Sequence, residues 1–180
     1  GATPVFVDCR PDTWQIDAEQ AAANIGPRTK AVIGVHLYGQ PCDADALLDL
    51  CRRQGLYFIE DAAQAQGARY KGKPVGSFGE LACYSFYPAK NLGACGEAGA
   101  ITTFDEAYAE RLCILRNQGS REKYIHEEIG YNYRMGGLEA ASLIVKLRYL
   151  DEWNRQRRAI AARYLGGMRN ERIRLQAHPD

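Results

Sequence analysis

Two short apolar runs, each followed at once by polar side chains, constrain this chain more than any other feature. One run, from Leu56 to Ile59, ends at the carboxylates Glu60 and Asp61, and the other, from Leu81 to Phe86, ends around Ser85. Short apolar runs bounded by turn residues are typical of buried strands. Because the ligands of open α/β sheets bind beyond the carboxyl ends of the strands, we expect an acid and a hydroxyl group to meet at one edge of a sheet.

Helix signals alternate with strand signals along the first half of the chain. Ala31 to His36 predicts a buried strand, and Asp43 predicts the start of a helix that runs to Gln54 and stops at Gly55. Strands that alternate with helices of this length form βαβ units with right-handed crossovers. The pattern therefore predicts an α/β fold with a mostly parallel sheet and flanking helices.

Further elements are predicted on both sides of this centre. They are a strand at Gly1 to Asp8 centred on Val5 to Val7, a helix from Asp17 to about Gly26, a short strand from Ala100 to Thr103, a helix from Asp105 to Asn117, a helix from about Leu138 to Trp153 and a basic helix from Arg155 to Leu165. The buried face of the helix that begins near Leu138 is predicted at Leu138, Ala141, Ile144 or Val145, and Leu147 or Tyr149. Residues 118–134 have no clean period and are predicted to form a functional loop.

Length, charge and cysteine content narrow the class of protein. A chain of 180 residues is long enough to bury the core of one domain. Its formal net charge of +1 gives no reason to expect nucleic acid or an anionic membrane as a partner. No apolar run approaches the roughly 18 residues of a membrane span, and the opening residues do not resemble a leader. Six cysteines without a CxxC pair, and without a histidine at metal-finger spacing, predict free thiols in a reducing cytoplasm and no metal site.

One lysine, Lys90, follows the second apolar run and stands close to the glycines between residues 93 and 99. A lysine, Asp61 and Ser85 at neighbouring strand ends suit a carbonyl-reactive cofactor that carries a phosphate and a basic ring nitrogen. Pyridoxal phosphate has these features, because a lysine amine condenses with its aldehyde and a carboxylate keeps its pyridine nitrogen protonated. The residue types alone leave it as one of several possible cofactors.

The order and spacing of these residues resemble those of the DegT/DnrJ/StrS-type sugar aminotransferases, a pyridoxal-phosphate family of fold type I. The resembling segments, which cover nearly the whole chain, are PVFVD, TKAVIGVHLYGQP, EDAAQAQGA, SFYPAKNLGACGEAGA, LRNQGSREKYIH, GYNYRMGGLEAASLIVKL and LDEWNRQRRAIAARY. The resemblance implies a three-layer, aspartate-aminotransferase-like large domain over residues 1–150. It implies that residues 151–180 lead towards a C-terminal small domain. The family's upstream Gly-Thr phosphate turn would precede Gly1, so the chain is expected to be a fragment of a larger enzyme.

Five cofactor-binding residues are implied by the resemblance. Lys90 matches the lysine that bonds the cofactor and moves protons, and Asp61 matches the partner of the pyridine nitrogen. Gln64 matches an amide beside the cofactor hydroxyl, and Ser85 matches a phosphate ligand. Asn132 matches an asparagine that the neighbouring subunit of a homodimer supplies to the same phosphate. Without the resemblance, each residue also has a structural interpretation. Asp61 would cap the turn that follows it, Ser85 would be an ordinary strand residue, and Asn132 would favour a turn.

The substrate is also implied by the resemblance: a nucleotide-linked keto sugar that an aminotransferase converts to an amino sugar, with L-glutamate as amino donor. Tyr124, His126 and Arg134 in the predicted loop are the candidate substrate contacts, because a diphosphate needs cationic or hydrogen-bonding partners. Glu60 and His36 are predicted to be structural.

Three alternative functions stay open. Instead of a sugar aminotransferase, the protein could be a pyridoxal-phosphate sugar dehydratase, an amino-acid aminotransferase or a non-catalytic regulatory paralogue. The family's dehydratases carry histidine in place of Lys90, so the lysine argues against that branch. The missing upstream phosphate turn favours the regulatory paralogue, whereas the set of Asp61, Gln64, Ser85 and Lys90 argues against it.

Overall fold

The computed structural model describes residues 1–177 of the chain. In chain order its elements are α1 (Ala18–Ala23), β1 (Ala31–Val35), α2 (Ala44–Gln54), β2 (Tyr57–Asp61), β3 (Arg69–Tyr70), β4 (Lys73–Pro74), β5 (Leu81–Ser85), β6 (Gly99–Thr102), α3 (Glu106–Arg116), α4 (Gly137–Leu147) and α5 (Leu150–Gly167). The main sheet has the order β1-β2-β5-β6. Strands β1, β2 and β5 are parallel, and β6 pairs antiparallel with β5. The predicted α/β fold with a mostly parallel sheet is confirmed.

The helix starts predicted from aspartates are confirmed. Asp17 accepts hydrogen bonds from the backbone amides at the start of α1, and Asp43 and Asp105 do the same for α2 and α3. Gly55 ends α2 with a φ of 62°, a left-handed conformation that glycine adopts without steric cost. These elements form where predicted because each boundary depends on a local interaction.

The main core lies between α2 and the first two strands. It contains Val32, Cys42, Leu47, Cys51 and Phe58, all buried. The opposite face of the sheet is open in the described residues, since Ile33, Val35, Tyr57 and Ile101 are exposed. One face of the sheet therefore carries the core and the other carries exposed apolar side chains.

The strand predicted at Gly1 to Asp8 is wrong. This segment has no strand in the structure, and Phe6 is 90% exposed. A strand needs a neighbouring strand for its backbone hydrogen bonds, and the nearest described pairing is the isolated bridge between Cys9 and Ile16. Strand propensity alone therefore misplaced this element.

The helix predicted from about Leu138 to Trp153 is two helices. Helix α4 ends at Leu147, and α5 begins at Leu150 and includes the predicted basic helix. The predicted buried face is wrong too, because the apolar residues Leu138, Ala141, Ile144, Val145, Leu147 and Tyr149 are exposed. Leu143 and Leu150 are buried instead, because they pack against Leu92 and Ala94 in the segment that follows Lys90.

A short hairpin, β3–β4, was not predicted. Lys71 and Gly72 form its turn with φ values of 48° and 79°. Positive φ at both central residues is typical of the tightest hairpin turns. The division into two domains at residue 150 stays a prediction, and residues 178–180 of the second predicted domain lie outside the described residues. None of the helices in residues 1–177 is long and apolar enough to cross a membrane.

Candidate functional site

Asp61 and Ser85 lie at the carboxyl ends of two adjacent strands. Strands β2 and β5 are parallel, and Asp61 lies opposite Cys83. Ser85 is the last residue of β5, two residues beyond Cys83. With strands about 4.8 Å apart and a rise of about 3.3 Å per residue, the Cα atoms of Asp61 and Ser85 lie about 8 Å apart. The structure thus brings these two predicted residues to one edge of the sheet.

The Asp61 carboxylate is half-buried and only partly engaged. Its Oδ1 accepts a hydrogen bond from the amide of Ala63 at 3.0 Å, which is the turn cap that the sequence also predicts. It forms no salt bridge with any residue in the described range 1–177. The second oxygen, Oδ2, therefore keeps its lone pairs for a cationic ligand such as a protonated ring nitrogen.

The chain leaves β5 at Ser85 and turns back in a short loop that carries Lys90. Ser85 Oγ accepts from the amide of Tyr87 at 3.3 Å, so the hydroxyl hydrogen is free to donate to an anion such as phosphate. The Lys90 amide donates to the Tyr87 carbonyl at 2.9 Å, and the Ala94 amide donates to the Phe86 carbonyl at 2.7 Å. The loop closes where it began, so its base is held at the edge that carries Ser85.

Tight packing fixes the shape of this lysine loop. A side chain at Gly93 would place a Cβ 2.4 Å from the carbonyl oxygen of Pro88, so only glycine fits there. Lys146 Nζ, from α4, donates to the Gly93 carbonyl at 2.6 Å. Leu92 and Ala94 are buried against the two helices. The half-buried Lys90 side chain therefore projects from a well-supported backbone.

Gln64 lies in the turn that follows Asp61. Its Oε1 accepts a hydrogen bond from the amide of Tyr38 at 2.8 Å. The backbone N–H of Tyr38 can donate only to an acceptor, so the Gln64 side-chain atom that it contacts is the oxygen. The Nε2 group of Gln64 is therefore the end of the side chain that is free to bind a ligand. A free NH₂ group suits the predicted contact with a cofactor hydroxyl.

Glu60, the carboxylate next to Asp61, points into the core and is completely buried together with His36. His36 Nδ1 accepts from the amide of Cys42 at 3.1 Å, so the ring proton is on Nε2, which lies 3.1 Å from Glu60 Oε2 and donates to it. The remaining donors to Glu60 are the backbone amides of Gly76, Phe78 and Gly79, at 2.7 to 2.9 Å. The structural roles predicted for His36 and Glu60 are confirmed.

This network shifts two pKa values in the core. Burial raises the pKa of Glu60, but the hydrogen bonds from His36 and from the three amides outweigh burial, so the pKa of Glu60 lies below its ordinary value. Burial, with a smaller effect of the Glu60 charge, raises the pKa of the Cys42 thiol to about 12. Glu60 therefore stays ionised and Cys42 stays protonated at neutral pH. All six cysteines are free, as predicted.

Asn132 and Arg134 lie in the predicted loop, next to the end of α3. The loop backbone pairs with that helix end, since the amide of Tyr131 donates to the Leu115 carbonyl at 2.7 Å and that of Tyr133 to the Arg116 carbonyl at 3.0 Å. Arg134 Nε donates to Asn132 Oδ1 at 3.2 Å. Both side chains are exposed, and none of their hydrogen bonds in residues 1–177 reaches Asp61, Ser85 or Lys90.

Tyr124 and His126 lie in the same loop and are also exposed. Tyr124 has a φ of 70°, and Lys123 Nζ lies 4.9 Å from the centre of its ring. His126 Nδ1 lies 2.8 Å from both the Gln118 carbonyl and Ser120 Oγ. Since the carbonyl accepts, Nδ1 carries the proton, and Nε2 is the ring atom left for a ligand.

Two clefts flank these residues. Lys90 lines one of about 490 Å³ together with Lys146, Trp153 and Arg157, whereas Asp61, Gln64 and Ser85 are not part of its lining. Arg134 lines the other, of about 380 Å³, with Arg116, Ser120 and Arg121. Of the predicted cofactor-binding residues, the first cleft contains Lys90 alone.

Two buried amide residues, Gln66 and Asn154, were missed by the sequence analysis. They are 4% and 8% exposed, and they hydrogen-bond to the segments that carry the predicted site. The burial of Asn154 could have been predicted, because it lies four residues after Leu150 and so shares the buried face of its helix. Gln66 lies in a turn, where no such spacing predicts burial.

The whole chain, residues 1–180, matches the profile of the DegT/DnrJ/EryC1/StrS aminotransferase family. It is 51% identical over 93% of its length to the dTDP-3-amino-3,4,6-trideoxy-alpha-D-glucose transaminase of Streptomyces venezuelae, of which it covers 44%. It is also 51% identical, over 91% of its length, to the pleiotropic regulatory protein of Geobacillus stearothermophilus, again covering 44%. The chain thus spans about half the length of the curated relatives it matches.

Solved structures agree in fold. The structure of DesV from S. venezuelae superposes with a TM-score of 0.93 at 48% identity, covering 98% of this chain and 48% of that one. NtdA from Bacillus subtilis, solved with bound cofactor PMP, superposes with a TM-score of 0.84 at 34% identity, covering 91% of this chain and 37% of that one. The predicted fold type I architecture is confirmed. The chain belongs to the DegT/DnrJ/EryC1/StrS aminotransferase family.

Proposed function

We propose that the full-length protein containing this chain is a pyridoxal-phosphate-dependent aminotransferase that converts a nucleotide-linked keto sugar to an amino sugar. The observation that carries the proposal is the grouping of Asp61, Ser85 and the Lys90 loop at one sheet edge. Membership of the family and the transaminase among its relatives support the activity and the substrate class. L-glutamate as amino donor rests on the family resemblance.

The side chains at this edge fit the proposed cofactor. Asp61 has a free carboxylate oxygen for the ring nitrogen, Ser85 a free hydroxyl hydrogen for the phosphate, and Gln64 a free NH₂ for the ring hydroxyl. Pyridoxal phosphate supplies an aldehyde that takes up amino groups and a ring that withdraws electrons.

In the proposed reaction Asp61 and Lys90 have different tasks. The Asp61 carboxylate holds the proton on the ring nitrogen, and this charge keeps the ring able to withdraw electrons. Lys90 Nζ would act as the general base that takes the proton from Cα of L-glutamate, and as the general acid that delivers it to the bound cofactor. Lys90 then returns a proton in the opposite direction when the keto sugar is the acceptor.

The loop residues are proposed to serve the substrate and the partner subunit. Arg134 lines a cleft with Arg116 and Ser120, and cationic side chains bind a diphosphate well. Tyr124 and the free Nε2 of His126 are exposed in the same loop as Arg134. Asn132 is proposed to reach the phosphate of the neighbouring chain in a homodimer, which its exposure permits.

We also propose a cytoplasmic location for the protein, which its six free cysteines support.

The test is a single-turnover measurement with the full-length protein. The purified enzyme is loaded with pyridoxamine phosphate and mixed with a dTDP-linked keto sugar, and cofactor absorbance is followed. Conversion to the aldehyde form, with an aminated sugar nucleotide as product, is the expected result. Conversion with pyruvate or oxaloacetate and none with keto sugars would assign the protein to the amino-acid aminotransferases instead.

A regulatory protein is the second candidate, because one relative of equal identity is named as one. The same measurement separates the two candidates. A protein that binds the cofactor but converts neither keto sugars nor keto acids would support regulation.

A further inference from the structure

Two buried amide side chains connect the segments that carry the proposed site. Asn154 comes from α5, and Gln66 from the turn that follows Asp61. Neither side chain is charged, so the connection does not depend on the ionisation of either residue. Buried amides that bond to several segments fix the relative position of those segments.

Asn154 uses both ends of its side chain. Its Nδ2 donates to the Gln66 carbonyl at 2.8 Å, and its Oδ1 accepts from Asn91 Nδ2 at 3.1 Å. Asn91 directly follows Lys90. Gly67, with a φ of +80°, permits this approach, because a Cβ there would lie 2.6 Å from Asn154 Nδ2. Asn154 therefore holds the lysine loop against the turn after Asp61.

Gln66 extends the connection to the third segment. Its Nε2 donates to the Ser85 carbonyl at 2.6 Å and to the Ala63 carbonyl at 3.1 Å. Two carbonyl partners identify this atom as the nitrogen. The turn after Asp61, the end of β5 and the lysine loop are thus joined in one continuous chain of hydrogen bonds.

We propose that Asn154 and Gln66 are positioning residues, which set where Lys90 lies relative to Asp61 and Ser85. The catalytic consequence rests on the proposed function, whereas the coupling between the segments does not. A displacement of about 1 Å at a reacting group costs up to about a hundredfold in rate. Loss of the connection should therefore lower kcat more than it raises the KM for the keto sugar.

The experiment compares four variants of the full-length protein, namely Asn154→Leu, Asn91→Ala, the double variant that combines them, and a control. Asn154→Leu removes both links of Asn154 at similar volume, and Asn91→Ala removes only the link to the lysine loop. Arg163→Leu, at an exposed position of the same helix, is the control. Backbone hydrogen exchange is measured by mass spectrometry for residues 62–68 and 86–95, with and without pyridoxal phosphate. If the wild type converts the keto sugar, kcat and KM are measured for each variant.

In Asn154→Leu we expect exchange in both segments to rise about fivefold or more, the factor that corresponds to one neutral hydrogen bond. In Asn91→Ala we expect the increase in residues 86–95 alone. We expect kcat to fall about 10- to 100-fold in Asn154→Leu. The double variant should lose no more, because Asn154→Leu already removes the link that Asn91→Ala removes. Arg163→Leu should match the wild type in every measurement.

Unchanged exchange in both segments of Asn154→Leu would overturn the proposal, as would additive effects of the two substitutions. A kcat loss that disappears at saturating pyridoxal phosphate would show a role in cofactor retention only, and would overturn it too. If Asn154→Leu does not fold, exchange in Asn91→Ala decides. If the wild type neither binds the cofactor nor turns over, the proposed function fails, and the exchange data still decide whether the segments are coupled.

Discussion

Replacing Glu60 by glutamine tests whether two adjacent carboxylates have separate roles. Each oxygen of the buried Glu60 carboxylate accepts two hydrogen bonds. Glutamine presents one oxygen and one NH₂ group, so two of these donors would face another donor. Each buried group left unsatisfied costs about 1–3 kcal/mol. We therefore expect the free energy of unfolding to fall by about 2–6 kcal/mol.

Asp61→Asn is the matched comparison one residue away. Asn keeps the hydrogen bond from Ala63 because its oxygen can accept, so the fold should be little affected. The negative charge that we propose to hold the ring proton is lost. A charge-assisted hydrogen bond is worth about 1.5–3 kcal/mol, so the rate of proton transfer should fall at least about tenfold.

Thermal unfolding and single-turnover rates of the full-length protein measure both effects. Because the relatives are about twice as long as this chain, a loss of 2 kcal/mol or more should lower the Tm of the full-length protein by at least about 2 °C. Glu122→Gln, at an exposed position, is the control for the chemistry of the substitution. A wild-type Tm for Glu60→Gln would refute the assignment of the buried network. A wild-type rate for Asp61→Asn would show that Asp61 only caps its turn.

Three further predictions follow from the core and the loop. Gly34→Ala should destabilise the fold by about 1–3 kcal/mol, because its Cβ would lie 2.8 Å from the Phe58 ring; an unchanged Tm would contradict this. Because the folded-state pKa of Glu60 is depressed, its stabilisation is present above about pH 4.3 and is lost as the pH falls through that lowered pKa. The difference in Tm between wild type and Glu60→Gln should therefore shrink below about pH 4.3, and a constant difference would argue against it. Equal mixtures of Lys90→Ala and Asn132→Ala should regain about a quarter of wild-type activity on subunit exchange, since about half the dimers are mixed and each holds one intact site; no recovery despite proven exchange would assign Asn132 to its own chain.

Elements fixed by local chemistry could be predicted from the sequence. Asp17, Asp43 and Gly55 mark helix ends because their effects involve neighbouring residues only. The strand ends at Asp61 and Ser85 were also predictable, because apolar runs stop there and parallel strands align their carboxyl ends. The sequence therefore predicted which strand ends form the edge of the candidate site.

Elements fixed by distant contacts could not be predicted. Val5 to Val7 has strand-forming residues but no strand beside it in residues 1–177. The break between α4 and α5 contains no glycine or proline, and both helices are oriented by packing of Leu143 and Leu150 on the lysine loop. The partners of Asn154 lie 63 and 88 residues away in sequence. No pattern within a single helix reveals such contacts.

We propose that Lys90 is the residue that bonds pyridoxal phosphate at the edge formed by Asp61 and Ser85. Borohydride reduction of the cofactor-loaded full-length protein, followed by peptide mapping, tests this assignment. We expect a single labelled peptide that contains Lys90, and no label in Lys90→Ala. A label on Lys146, which shares a cleft with Lys90, or on any other lysine, would contradict it.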